Sequence, residues 1–280
     1  EYTHTIIFRL ISFFDPILFN DLMKIEVFDE HQMFTSWIIT YFSRNFSYND
    51  VFVIFDYILK EKENFILFII VAILLHVKSF ITNKDIFLSE IIPNISNYIS
   101  NIHDLLEYAK YLSEIPPTSG CGMLSVFSDE LIEDLKSNPY YSERWWIFHN
   151  FDSWDFKIPI IDLEDLENLK TKITFLDIRT QQEFSILKIS KSNNFNLPSE
   201  FDDFDFDIED DKFKQIIGKN NINTLKELRQ INSINTTNEI KEKIIVVIIG
   251  SKTSSYYEIN YLLEKEKIKY LVILKGGIDQ

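Results

Sequence analysis

The chain has 280 residues, 46% of them apolar, which is enough for two compact domains with separate cores. Its 28 basic and 43 acidic residues give a formal net charge of −15, and no Lys/Arg cluster interrupts it, which argues against nucleic acid or an anionic lipid surface as the partner. The single cysteine, Cys121, excludes an internal disulfide framework, and with five scattered histidines it offers no zinc-ligand spacing, so no metal or cofactor is expected and a reducing, intracellular compartment fits.

From residue 4 to about 115 apolar runs of helical length alternate with short polar breaks, which predicts an all-α domain over 1–115. Helices are expected at 4–13, 16–25, 31–45, 49–60, 63–82, 85–100 and 102–114. Asp15-Pro16 separates the first two, because proline has no amide proton to donate and disfavours helix in the residue before it. The run Phe65 to Leu75 (FILFIIVAILL) is the most apolar in the chain, but its eleven residues fall well short of the roughly 20 a membrane span needs. It reads as a buried core helix. No charged-then-apolar signal segment opens the chain. Because it begins at Glu1 and stops just after a Gly-Gly-Ile turn, it is expected to be an excerpt of a longer protein.

At Ile115 the chain enters PPTSGCG, whose prolines and glycines break helix and open a linker over 116–160. The linker carries an aromatic cluster that includes Trp145, Trp146, Phe148, Phe151 and Trp154, too much apolar surface to leave wet. Packing between domains is one reading of these tryptophans and anchoring a partner is the other. From 161 to 280 the periodicity changes. ITFLDI (173–178), IIVVII (244–249) and YLVIL (270–274) are strand-length β-branched runs separated by helical stretches, a pattern that implies a parallel α/β sheet. Between the first two strands an acidic stretch (200–211) and an Asn-rich region to about 240 read as a polar insertion. Phe201, Phe204 and Phe206 among its carboxylates suit either a solvated insertion or a short docking motif.

Two groups of motifs, in this order, carry a family resemblance. LISFFDPILFNDL (10–22), SWIITYFSRNF (36–46) and VFVIFDYIL (51–59) resemble the C-terminal half of a TBC domain. That family's His-Asp-Pro-x-Leu, Trp and Trp-Asp elements stand here as Phe14-Asp15-Pro16-Ile17-Leu18, Trp37 and Phe55-Asp56. FLDIRTQQEF (175–184), NFNLP (194–198), VVIIG (246–250) and ILKGGI (273–278) resemble a rhodanese-like domain. Together they resemble the TBC–rhodanese proteins of membrane trafficking, the kinase-like branch most of all, in which a kinase-like domain lies upstream.

The resemblance implies specific chemistry, which the residues can be tested against. TBC domains accelerate GTP hydrolysis on Rab GTPases by inserting an arginine and a glutamine beside the γ-phosphate, from motifs in the domain's first half. Arg9 and Arg44 stand outside the finger motif and read as helix-surface or capping residues. A rhodanese transfers sulfur through a cysteine at the start of the loop after its central strand. Alignment on VVIIG puts Gly250 at that place, and the loop Gly250, Ser251, Lys252, Thr253, Ser254, Ser255 holds no thiol. Cys121 lies about forty residues before the domain and reads as a bystander. The loop suits an anion or partner site, or a plain hydroxyl-rich cap in which Ser254 or Ser255 starts a helix at Tyr256. Asp177, Arg179 and Glu183 resemble the family's strand-end acid, arginine and acid and read as a structural ion-pair set; Leu187-Lys188-Ile189 replaces the customary Gly-His-Ile after them.

The function these readings imply is a non-catalytic adaptor or scaffold in Rab-linked endosomal trafficking, with no enzymatic activity in this chain. Its partners would be a Rab-family GTPase, subunits of a trafficking complex, or both. Its place would be the cytoplasm, peripheral on endosomal or Golgi membranes through those partners. The alternative is the C-terminal half of an active Rab GTPase-activating protein whose arginine and glutamine motifs lie upstream. A sulfurtransferase or phosphatase is opposed by the missing thiol.

Overall fold

The computed structural model describes residues 2–24, 30–61, 64–81, 88–116, 158–161, 163, 166, 169, 171–197, 210–236, 243–250, 259 and 261–274. They fall into two compact units, one reaching Pro116 and one holding the described residues from Ile158 onward.

The first unit is helical: α1 (Tyr2–Phe14), α2 (Pro16–Met23), α3 (Glu30–Thr40), α4 (Tyr48–Lys60), α5 (Phe65–His76), α6 (Lys78–Ile81), α7 (Leu88–Ile91), a 3-10 turn (Ile95–Tyr98) and α8 (Ile102–Ser113). α5 is its hub. Every residue from Phe65 to Leu74 is buried, and the helix packs against α1, α3 and α8. A helix apolar on all sides is stable in water only when enclosed, and each large side chain so buried contributes about 1.5–3 kcal/mol. Among the described residues no helix is long and apolar enough to cross a membrane.

Local chemistry sets the ends of these helices. Asp15 caps α2: its Oδ1 accepts from the amides of Ile17 (3.1 Å) and Leu18 (3.0 Å), and its other oxygen accepts from Lys78 Nζ at 2.6 Å. Ser47 caps α4 and Asn101 caps α8 in the same manner. Three expected helices are shorter or broken. The segment 31–45 stops at Thr40, where Tyr41 (φ 47°) and Phe42 (φ 63°) turn left-handed. That conformation is costly for bulky residues. It places Phe42 fully inside against Trp37 (5.8 Å between ring centroids) and Phe46 (6.1 Å). The segment 63–82 breaks at Val77, which adopts φ −89° and ψ 8° and lets Lys78 reach Asp15. The segment 85–100 divides into α7 and the 3-10 turn around Pro93, which has no amide proton for a continuous helix.

The second unit is a five-stranded, wholly parallel sheet in the order β1-β5-β4-β2-β3, with β1 at Ile160–Ile161, β2 at Lys172–Asp177, β3 at Asn193–Asn194, β4 at Ile244–Ile249 and β5 at Leu271–Leu274. β4 is the central strand. Its register runs from Lys172↔Ile244 to Asp177↔Ile249 on one side and from Val246↔Leu271 to Ile248↔Ile273 on the other. All five residues from Ile245 to Ile249 are buried, so both faces of the strand are covered, as an unbroken β-branched run in a parallel sheet requires. β1 and β3 have only two residues each, too few to show a period of two in the sequence.

Helix α9 (Gln181–Ile186) follows β2, and the 27-residue α10 (Asp210–Thr236) lies between β3 and β4. The Asn-rich region, expected as a polar insertion, is therefore mostly one helix packed on the core. Leu225 and Leu228 are buried in that core, with Ile222 and Ile231 against it. Two of its asparagines, Asn232 and Asn235, fall 11 and 14 residues after a third, Asn221, close to whole turns of helix, so the three share a face. Each amide grips main chain at a strand end. Asn221 donates to Asn196 O (2.7 Å) and accepts from Asn196 N (3.3 Å). Asn232 donates to Lys267 O and accepts from Lys269 N, both at 3.1 Å. Asn235 donates to Ile244 O (2.9 Å) and accepts from Ile244 N (2.8 Å). Main-chain groups at the ends of strands lack ladder partners, and these amides supply them. Lys243 ends the series: buried, it donates to Asn235 O (2.8 Å) and lies over the Tyr270 ring, and desolvation, then the charge of Lys269, lowers its pKa.

Candidate functional site

In an open parallel sheet, ligands bind beyond the carboxyl ends of the strands where consecutive crossovers leave in opposite directions. Here β2 connects to β3 on one side while β4 connects to β5 on the other, so the switch point lies between β2 and β4. The two strand ends are joined by Ile178 N donating to Ile249 O at 2.9 Å. Asp177 and Arg179 occupy one end and Gly250, half-buried, the other.

The structure brings Asp177 and Arg179 together. Arg179 Nη2 donates to Asp177 Oδ2 at 2.6 Å, Nε to Oδ1 at 3.0 Å, and the Arg179 amide to Oδ1 at 3.0 Å. Nη2 also donates to Leu187 O at 2.6 Å, tying the strand end to the chain after α9. Asp177 has no exposed side-chain surface and Arg179 only 4%. A carboxylate sealed from solvent and engaged this fully holds a turn and is not placed to take a proton from a ligand. Glu183 closes a capping box instead: its Oε2 accepts from Thr180 N (2.9 Å), while Thr180 Oγ1 accepts from Glu183 N (3.3 Å).

Two residues of NFNLP complete the turn. Asn194 Nδ2 donates to the carbonyls of Asp177 (3.0 Å) and Arg179 (2.8 Å), and Phe195 N donates to Asp177 O (2.8 Å). Sequence reasoning noted the motif but assigned these side chains no task, because their partners are main-chain groups without any residue signature. The other candidates, Ser251, Lys252, Thr253, Ser254 and Ser255, the tryptophans Trp145, Trp146 and Trp154, and Cys121, lie outside the described residues. So does the acidic run up to residue 209; Asp210 and Asp211 open α10. Among the described residues no group of three or more His, Cys, Asp or Glu is placed to hold a metal ion.

In the helical unit, the elements singled out from sequence are mainly core and caps. Trp37 is 1% exposed between Phe34 and Phe42, and Phe14 and Asp15 are buried. Phe55 stacks on Tyr41 at 5.1 Å, and Asp56 is exposed. Arg9 is buried in α1, whereas Arg44 is exposed in the turn after α3. The order of these elements along α1 to α6 is what a comparison of families can test. Residues 2–82 match the Rab-GTPase-TBC domain family. The match takes in α1 to α6, so the Asp15 cap, the Trp37 cluster and the Phe55-Asp56 pair all belong to the TBC region. No curated protein matches the chain. The TBC region ties the N-terminal part to Rab GTPases as a class.

Proposed function

We propose that the chain is a non-catalytic binding module of a Rab-linked protein of endosomal trafficking, in which a TBC region is joined to a rhodanese-like domain that has lost sulfur chemistry. The observation that carries this reading is Gly250. It stands at the carboxyl end of the central strand β4, at the switch point of a parallel sheet, where the rhodanese resemblance places the nucleophilic cysteine. A glycine has no group to form a persulfide, and the neighbouring Asp177 and Arg179 are committed to each other. With that place empty of chemistry, the domain acts by contact. Its partners are a Rab-family GTPase and subunits of a trafficking complex, and it reaches endosomal or Golgi membranes through them. The match of residues 2–82 supports the Rab half of this reading.

Sulfur transfer from thiosulfate to cyanide tests the rhodanese half. The 280-residue chain should give the rate of a buffer blank, and Cys121→Ser should give the same rate. A blank-exceeding rate that Cys121→Ser abolishes would make Cys121 the nucleophile and overturn the reading.

A further inference from the structure

α4 is held to the helical unit far more lightly than its neighbours are. Of its 13 residues only Val51 and Ile54 are buried, and the helix packs mainly on α8. α8 itself buries Ile102, Leu105, Leu106, Ala109 and Leu112, and every residue of α5 from Phe65 to Leu74 is enclosed. α4 meanwhile leaves large apolar side chains in water: Tyr48 is 76% exposed, Phe52 52% and Leu59 81%. Docking of α4 therefore removes little apolar surface from water. An element with few buried apolar contacts opens at a lower free energy than the core it rests on.

Two polar bonds offset that weakness, and they interlock. The Tyr57 hydroxyl on α4 donates to Glu107 Oε1 on α8 at 2.7 Å. Lys110, one turn along α8, pairs with Glu61 Oε1 at 2.9 Å, and Glu61 is the residue that ends α4. Each side gives one donor and one carboxylate, at spacings of four residues on α4 and three on α8 that put both members on the facing sides. The bond to Glu107 raises the Tyr57 pKa and the bond to Glu61 raises that of Lys110, so each carboxylate keeps its donor protonated. The Tyr57 ring also lies nearly parallel to the Phe65 ring, 6.4 Å away. We infer that α4 is a strap latched at its C-terminal end. It comes off α8 as one unit while α5 and α8 stay folded, and the Tyr57–Glu107 and Glu61–Lys110 bonds set how often it does so. A helix of 13 residues is marginal in water on its own, so the strap loses its main-chain protection when it opens. Opening uncovers Val51, Ile54 and the face of the Phe65 ring turned to Tyr57.

Amide hydrogen exchange of the 280-residue chain, followed by mass spectrometry at neutral pH, reads the strap directly. After correction for intrinsic rates, peptides from α4 should exchange at least about 100-fold faster than those from α5 and α8. Tyr57→Phe keeps the ring against Phe65 and removes only the hydroxyl, so exchange in α4 should rise by roughly two- to tenfold with α5 unchanged. Lys110→Met removes the other half of the latch and should also speed α4 alone. Salt at about 1 M should accelerate α4 in the wild type and add little in Lys110→Met, because the ion pair lies at the surface where ions screen it. Exchange in α4 as slow as that in α8 would overturn the strap. Exchange in α4 that neither Tyr57→Phe nor Lys110→Met changes, or that rises equally in α5, would overturn the latch.

Discussion

Replacing Arg179 with alanine is expected to lower the stability of the α/β unit by about 3–5 kcal/mol, the cost of leaving a buried carboxylate without its cation. The size follows from the geometry. Asp177 has no exposed side-chain surface, its two oxygens take three bonds from the Arg179 side chain and one from the Arg179 amide, and the guanidinium also ties down Leu187 O. The variant strands a charge at the end of β2, beside the central strand. Arg179→Lys should recover only part of the loss, because a single ammonium cannot reproduce the fork that spans both carboxylate oxygens and the Leu187 carbonyl. Urea denaturation followed by far-UV circular dichroism measures the loss; a change under about 1 kcal/mol would mean that the pair contributes little.

Trp37→Ala should cost the helical unit about 3–5 kcal/mol, the range for truncating a large aromatic in a core that cannot collapse around the space. Trp37 is 1% exposed, and its ring joins a chain of contacts running from Phe8 through Phe34 to Phe42 and Phe46. The left-handed turn at Tyr41 and Phe42 is held by this cluster, so the variant should also release that turn. Amide exchange of residues 41–46 should rise more than that of α5. Equal protection in the variant and the wild type would show that the turn holds itself.

These two sites show what the sequence could and could not reveal. The Asp177–Arg179 pair was read from the resemblance of LDIR to the family's strand-end acid and arginine; the structure joins these two and gives Glu183 to a capping box instead. Helix α5 was legible because an unbroken apolar run of its length can only be enclosed, and strands β2, β4 and β5 because a parallel sheet covers both faces. The turn after α3 was not: Tyr41 and Phe42 are poor left-handed residues, and burial of Phe42 outweighs their local preference. Nor was α10. Asparagine competes with helix by bonding to nearby main chain. In α10, however, the amides of Asn221, Asn232 and Asn235 reach distant main chain, which tertiary packing alone supplies. The expected strand 244–249 is β4, and Gly250 follows it directly. The support given by Asn194 could not be read, since carbonyls carry no sequence mark.

We propose that this chain binds Rab-linked partners without catalysing a reaction on them. The most direct measurement is single-turnover GTP hydrolysis across a panel of Rab GTPases, with and without the chain at micromolar concentration, paired with retention of each Rab on the immobilised chain. The account predicts unchanged hydrolysis for every Rab, with at least one retained. Accelerated hydrolysis of any Rab would contradict it and make the TBC region a working GTPase activator.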